Sequence, residues 1–96
     1  LMSGQILSAF EHALSGLEGI KIRCHGFMFG IELPNPCAEL VQQALDKKVL
    51  INVTAGNVIR LLPPLVMTAD EANLMVTTVS ELVIDFMATQ AIEGAA

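Results

Sequence analysis

The chain has 96 residues, enough for a single domain whose folded form buries roughly 60–65% of the surface exposed by the unfolded chain. Its net charge of −5, with five Lys or Arg against ten Asp or Glu, excludes a surface built to hold nucleic-acid phosphates. An apolar share of 53% excludes a disordered chain, and a charged share of only 16% leaves two readings open: a compact apolar domain, or one whose apolar surface is covered by another part of a protein.

The N-terminal Leu1-Met2-Ser3-Gly4 lacks the basic and apolar regions of a signal peptide, and the absence of a starting Met suggests a piece of something longer. From Ser3 to Ser15, Ile6, Leu7, Phe10, Ala13, Leu14 and Leu17 recur at helical spacing and predict an amphipathic helix with Glu11 and His12 turned outward. The stretch from Ile20 to Leu33 is β-branched and aromatic. Lys21 and Arg23 alternate with Ile20 and Ile22 as in a half-exposed strand, Cys24-His25-Gly26 reads as a bend or a bulge, and Phe27, Phe29, Ile31 and Leu33 then share one face. Gly30, on the other face, lets another element approach the strand closely.

Asn35 and Pro36 predict the N-cap and first residue of a second helix, with Cys37, Leu40, Val41, Ala44 and Leu45 as its apolar stripe and Lys47-Lys48 at its C-terminus. Val49 to Val53 reads as a short buried strand, Thr54 to Asn57 as a turn, and Val58 to Leu62 as a returning strand that Pro63 and Pro64 end. Thr68 with Glu71 forms a capping box for a last helix. Its apolar face runs through Ala72, Met75, Val76, Val79, Leu82, Val83 and Phe86 to about Ala88, with Thr89 to Ala96 fraying. The order is that of an α+β two-layer sandwich, a small mainly antiparallel sheet with helices on one face. No apolar run reaches the length needed to span a bilayer.

The chemical inventory is thin. No Ser lies in a nucleophile elbow, and Cys24 and Cys37 have neither zinc-ligand spacing nor the pattern of a disulfide framework, so reduced thiols in a cytoplasmic protein are the default. Cys24 and His25 are strand neighbours and point to opposite faces. His12 and His25 read as surface residues, Glu32 has no identifiable partner, and Gly56-Asn57 is a turn between strands, unlike a phosphate loop. The chain offers no catalytic, cofactor-binding or metal-binding residue. Arg60, held on a stiff strand ending at two prolines, stands out as a fork for a carboxylate. On spacing alone, the favoured reading is an ordinary edge-strand arginine paired with a surface acid.

Arg23 to Leu33, RCHGFMFGIEL, is similar to the RG-x-G-L-M-x-G-x-E-L pattern of class III aminotransferases of fold type I. Val49-Leu50-Ile51-Asn52, then GNVIRLLPPL from Gly56 to Leu65, followed by a Thr-capped helix, continue the likeness in order. The resemblance runs from about Gly16 to Phe86, and within the family it is greatest to the bacterial enzymes acting on N-acetylornithine.

It implies that residues 1–96 are the C-terminal small domain of a larger aminotransferase whose large domain is not in this chain. The whole enzyme would move an amino group between N-acetylornithine and 2-oxoglutarate in arginine biosynthesis, as a cytoplasmic homodimer. Pyridoxal 5'-phosphate would be bound to a lysine of the large domain, with none expected on this fragment. Arg60 matches the family's arginine that receives the α-carboxylate of glutamate or 2-oxoglutarate. The implied partners are the large domain, a second subunit and that substrate, with neither nucleic acid nor membrane. Cys24-His25 departs from the family's glycine at this place, which implies a less freely turned backbone, and Lys21, Lys47 and Lys48 do not match the family's cofactor lysine. The rival reading is an independent α+β ligand-binding or interaction module, in which Arg60 has an internal acidic partner and a self-contained pocket is present.

Overall fold

A computed structural model describes residues 2–63 and 67–95. Pro64 and Leu65, the end of the stretch read as a strand running into two prolines, lie outside the described residues. Helix α1 spans Met2–Ala13, strand β1 Lys21–His25, β2 Met28–Glu32, helix α2 Leu40–Asp46, β3 Asn52–Thr54, β4 Val58–Leu61 and helix α3 Ala69–Ala95. The four strands form one antiparallel sheet in the order β1-β2-β4-β3. All three helices pack through the same core, so the expected two-layer α+β sandwich is the fold.

The core follows from period-two and period-3.6 patterning meeting at one surface. Phe29, Ile31, Ile59 and Leu61 leave the sheet on one side and are almost fully buried among Ile6, Phe10 and Leu14 of the α1 segment and Val79, Val83 and Phe86 of α3. Every residue of the expected α3 stripe from Ala72 to Phe86 is buried. Ala13, by contrast, is exposed, and Leu14 packs from the turn after α1. Phe27 is also exposed because it sits in the β1–β2 turn, outside the paired residues that end at His25 and Met28.

That turn has two residues, Gly26 and Phe27, between the pair His25 and Met28. Gly26 has φ +60°, as a hairpin turn of the primed type requires at its first central position. Cys24 and His25 both belong to the regular ladder and neither has positive φ, so the place where the family pattern has glycine needs none here.

Helix α2 begins at Leu40, five residues after Asn35, contrary to the expected N-cap there. In that cap the Asn35 side chain would accept from the Cys37 N–H, but this donor is committed to Gly56 O at 2.8 Å. The chain from Pro34 to Glu39 is therefore drawn to the β3–β4 turn, which Leu33 N and Asn57 O (2.9 Å) and Asn57 Nδ2 and Leu33 O (2.8 Å) also hold. At its other end α2 closes in a Schellman motif, Lys48 N to Leu45 O at 2.9 Å and Val49 N to Ala44 O at 2.9 Å. Lys48 takes the left-handed position with φ 64°.

The predicted strand from Val49 to Val53 shortens to β3, because Val49 is the last member of that motif and Leu50 is 82% exposed. Leu45 is likewise exposed, on the outer side of α2.

Thr68 and Glu71 make the reciprocal capping box, Thr68 N to Glu71 Oε1 at 2.9 Å and Glu71 N to Thr68 Oγ1 at 3.1 Å. The Thr68 N–H that the Glu71 carboxylate accepts, and after it the Thr68 side chain, hold that carboxyl below its ordinary value. The helix then runs on to Ala95, past the expected end near Ala88, since no Pro and no Gly before Gly94 interrupts it. Over Ala69–Glu93 it is long and apolar enough, by length and composition, to cross a membrane, although polar residues interrupt every apolar run within it. Its buried stripe is the core of this domain, and Glu81 and Asp85 lie on its outer side.

Candidate functional site

The sheet face away from the helices is uncovered. The alternation that buries Phe29, Ile31, Ile59 and Leu61 sends Gly30, Glu32 and Arg60 to the other side, beside Lys21 and Arg23 of β1. Register puts Arg23, Gly30, Arg60 and Asn52 in one row across all four strands. Two strand spacings separate Arg23 from Arg60, about 10 Å between backbones.

Three of the five Lys and Arg residues stand on this face, Lys21, Arg23 and Arg60, while Glu32 is the only one of the ten Asp and Glu residues found there. The other acids belong to the helices and their connections. The domain is thus acidic in total and basic on its open sheet face.

Arg60 lies on β4, a central strand, so it is not the edge-strand arginine that spacing allowed. It is exposed, and among the described residues it makes neither an ion pair nor a side-chain hydrogen bond. Glu32 does have a partner, which the sequence did not reveal. Arg23 Nη1 donates to Glu32 Oε1 at 3.2 Å, diagonally across the β1–β2 hairpin. Among the described residues the one acid on this face is therefore engaged by Arg23, and the Arg60 guanidinium keeps its donors unpaired.

Just past the end of β4, Leu62 borders a groove of about 390 Å³ that reaches α3. Leu50, Leu62, Pro63, Met67 and Leu74 line it, with Lys48 and Glu71 among its polar residues. Leu50, Leu62 and Leu74 are 82%, 73% and 66% exposed, a cluster of large apolar side chains that a free-standing surface rarely carries together.

The described residues make a poor receptor for pyridoxal phosphate, which needs a lysine amine and a phosphate cradle. Lys21, Lys47 and Lys48 are exposed, on β1 and at the end of α2. Gly56 turns one strand into another, and the first turn of α3 is already capped by the Glu71 carboxylate. No group of three potential metal ligands occurs among the described residues. Cys37 is buried, and burial, aided by Glu39, pushes its thiol up and makes it a poor nucleophile. Cys24 and His25 point to opposite sides of β1, and the Cys24 thiol donates to Gly26 O at 3.2 Å.

A class of protein follows from this fold and its ordered motifs. The family model of class III aminotransferases matches residues 5–83, and the chain belongs to that family. It is 52% identical over 84 residues to the acetylornithine aminotransferase of Nitrosomonas europaea, covering 88% of this chain and 20% of that protein. Against acetylornithine aminotransferase 1 of Bordetella parapertussis the identity is 43%, over 86% of this chain and 21% of that one. The chain thus spans about a fifth of the length of the curated relatives it matches.

Among solved structures, acetylornithine aminotransferase from Elizabethkingia anophelis superposes with a TM-score of 0.71 at 26% identity, covering 88% of this chain and 24% of that one. The ornithine aminotransferase of Plasmodium yoelii shares the fold at a TM-score of 0.81 and 19% identity, over 88% of this chain and 24% of that one.

Proposed function

We propose that this chain is the C-terminal small domain of an aminotransferase exchanging an amino group between N-acetylornithine and 2-oxoglutarate, in arginine biosynthesis in the cytoplasm. In this reading Arg60 receives the α-carboxylate of 2-oxoglutarate or glutamate. The observation that carries it is the state of Arg60: exposed, central in a basic sheet face, and without an acidic partner among the described residues. The exposed groove edged by Leu50, Leu62 and Leu74 supports burial against the large domain of the same polypeptide. Pyridoxal 5'-phosphate and the lysine that binds it belong to that large domain, and a second subunit completes a homodimer.

The test is kinetic and uses the full-length enzyme. Arg60→Ala is expected to raise KM for 2-oxoglutarate roughly 10- to 150-fold, the loss of about 1.5–3 kcal/mol of charge-assisted hydrogen bonding. KM for N-acetylornithine should move by less than about threefold, since its reacting amine lies far from its α-carboxylate. Equal effects on both substrates would refute the role.

A further inference from the structure

Gly30 sits directly opposite Arg60 across the β2–β4 ladder and directly opposite Arg23 across β1–β2. Nothing inside the domain calls for glycine there. Its φ is not positive, and a Cβ built on it meets nothing nearer than Val58 Cγ1 at 3.9 Å, an ordinary contact. Glycine weakens a strand interior, and in that position it marks a place where a ligand or another backbone comes close. The gap it leaves lies between Arg23, already paired with Glu32, and Arg60, which has no acidic partner among the described residues, so an anion from outside the domain suits the Arg60 side of it.

We propose that Gly30 is a positioning and specificity-determining residue for Arg60: it keeps open the strip of sheet over which the guanidinium and the carboxylate of a 2-oxo dicarboxylate lie. The proposal rests on the assignment of Arg60 to the substrate carboxylate. A methyl group at 30 fits against Val58 without displacing it, whereas a branched side chain stands in the strip itself. Tolerance is therefore graded by size. Because β-branched residues suit strands, loss of binding on enlargement is not loss of fold.

The experiment uses the full-length enzyme with Gly30→Ala and Gly30→Val, each alone and in the Arg60→Ala background. The measurements are KM for 2-oxoglutarate, KM for the amino donor, kcat, and the inhibition constant of glutarate as an unreactive dicarboxylate. Gly30→Ala is expected to change the two dicarboxylate constants less than about threefold, and Gly30→Val to raise both at least about tenfold, as expected for a lost charge-assisted contact. The amino-donor KM and kcat stay near their original values. In the Arg60→Ala background, Gly30→Val adds nothing further.

An undiminished Gly30→Val effect without Arg60, or equal effects on donor and acceptor, would overturn the proposal. So would a Gly30→Val protein that fails to fold, since the space would then be filled by protein and not by substrate. If Arg60→Ala alone left the 2-oxoglutarate KM unchanged, the Arg60 assignment would fail first, and the two failures are thereby told apart.

Discussion

Replacing Lys48 by glycine should stabilise the domain, although it removes a cation from the end of a helix. Lys48 occupies the left-handed position of the α2 Schellman motif with φ 64°. A side chain there costs about 1–2 kcal/mol through the clash of Cβ with the backbone. Glycine removes that strain but gives the unfolded chain more freedom, which offsets about 0.4–1 kcal/mol. Lys48→Ala supplies the reference, because it keeps the strained φ and loses the same charge near the helix C-terminus. The glycine variant should therefore exceed the alanine variant by about 0.5–1 kcal/mol, or ~2–8 °C in Tm for a domain of this size. Urea titration followed by far-ultraviolet circular dichroism reads the difference as a shift in midpoint at constant slope. Equal midpoints for the two variants would refute the reasoning, and a changed slope would show that the mutation acts on the denatured chain instead.

Two further outcomes concern the fold that carries Arg60. Glu71 titrates below its ordinary value of 4.5 in the folded chain, so its contribution is fully present above the unfolded value and disappears as pH falls through the lower folded one. The stability difference between the original chain and Glu71→Gln should accordingly be constant near neutrality and vanish in that acid window, as read by urea midpoints from neutral pH downward; a difference independent of pH would contradict the capping role. Asn57→Ala removes the donor to Leu33 O and should cost about 1–2 kcal/mol in the same titration, with hydrogen exchange rising first around the β3–β4 turn and the Pro34–Glu39 connection.

The α3 stripe from Ala72 to Phe86, its Thr68–Glu71 cap and the alternation along β2 were legible in the sequence, because each depends on residues within one or two turns of the chain. The start of α2 was not. Asn35 and Pro36 carry the local signal for a helix, but Gly56, twenty-one residues from Asn35, takes the N–H that the cap would use. For the same reason Leu50 reads as the middle of a buried strand while the Schellman closure at Lys48 and Val49 leaves it exposed.

At the candidate site, Arg60 was visible in the sequence as the single cation after Lys48, and the ordered family motifs gave it an expected role. Its environment was not visible. Strand order, which makes β4 central, and register, which sets Gly30 between Arg23 and Arg60, arise from pairings between residues far apart in the chain. The Arg23–Glu32 pair depends on that register too, and it leaves Arg60 as the unpaired arginine of the two. The sequence by itself determined the α3 face of the core, the inward side of β2 and the ordered motifs that mark the family, since hydrophobic period and local capping are properties of short segments. Only the tertiary structure decided which charges face one another, because a one-residue slip of β4 would send Arg60 to the helical side and bury it.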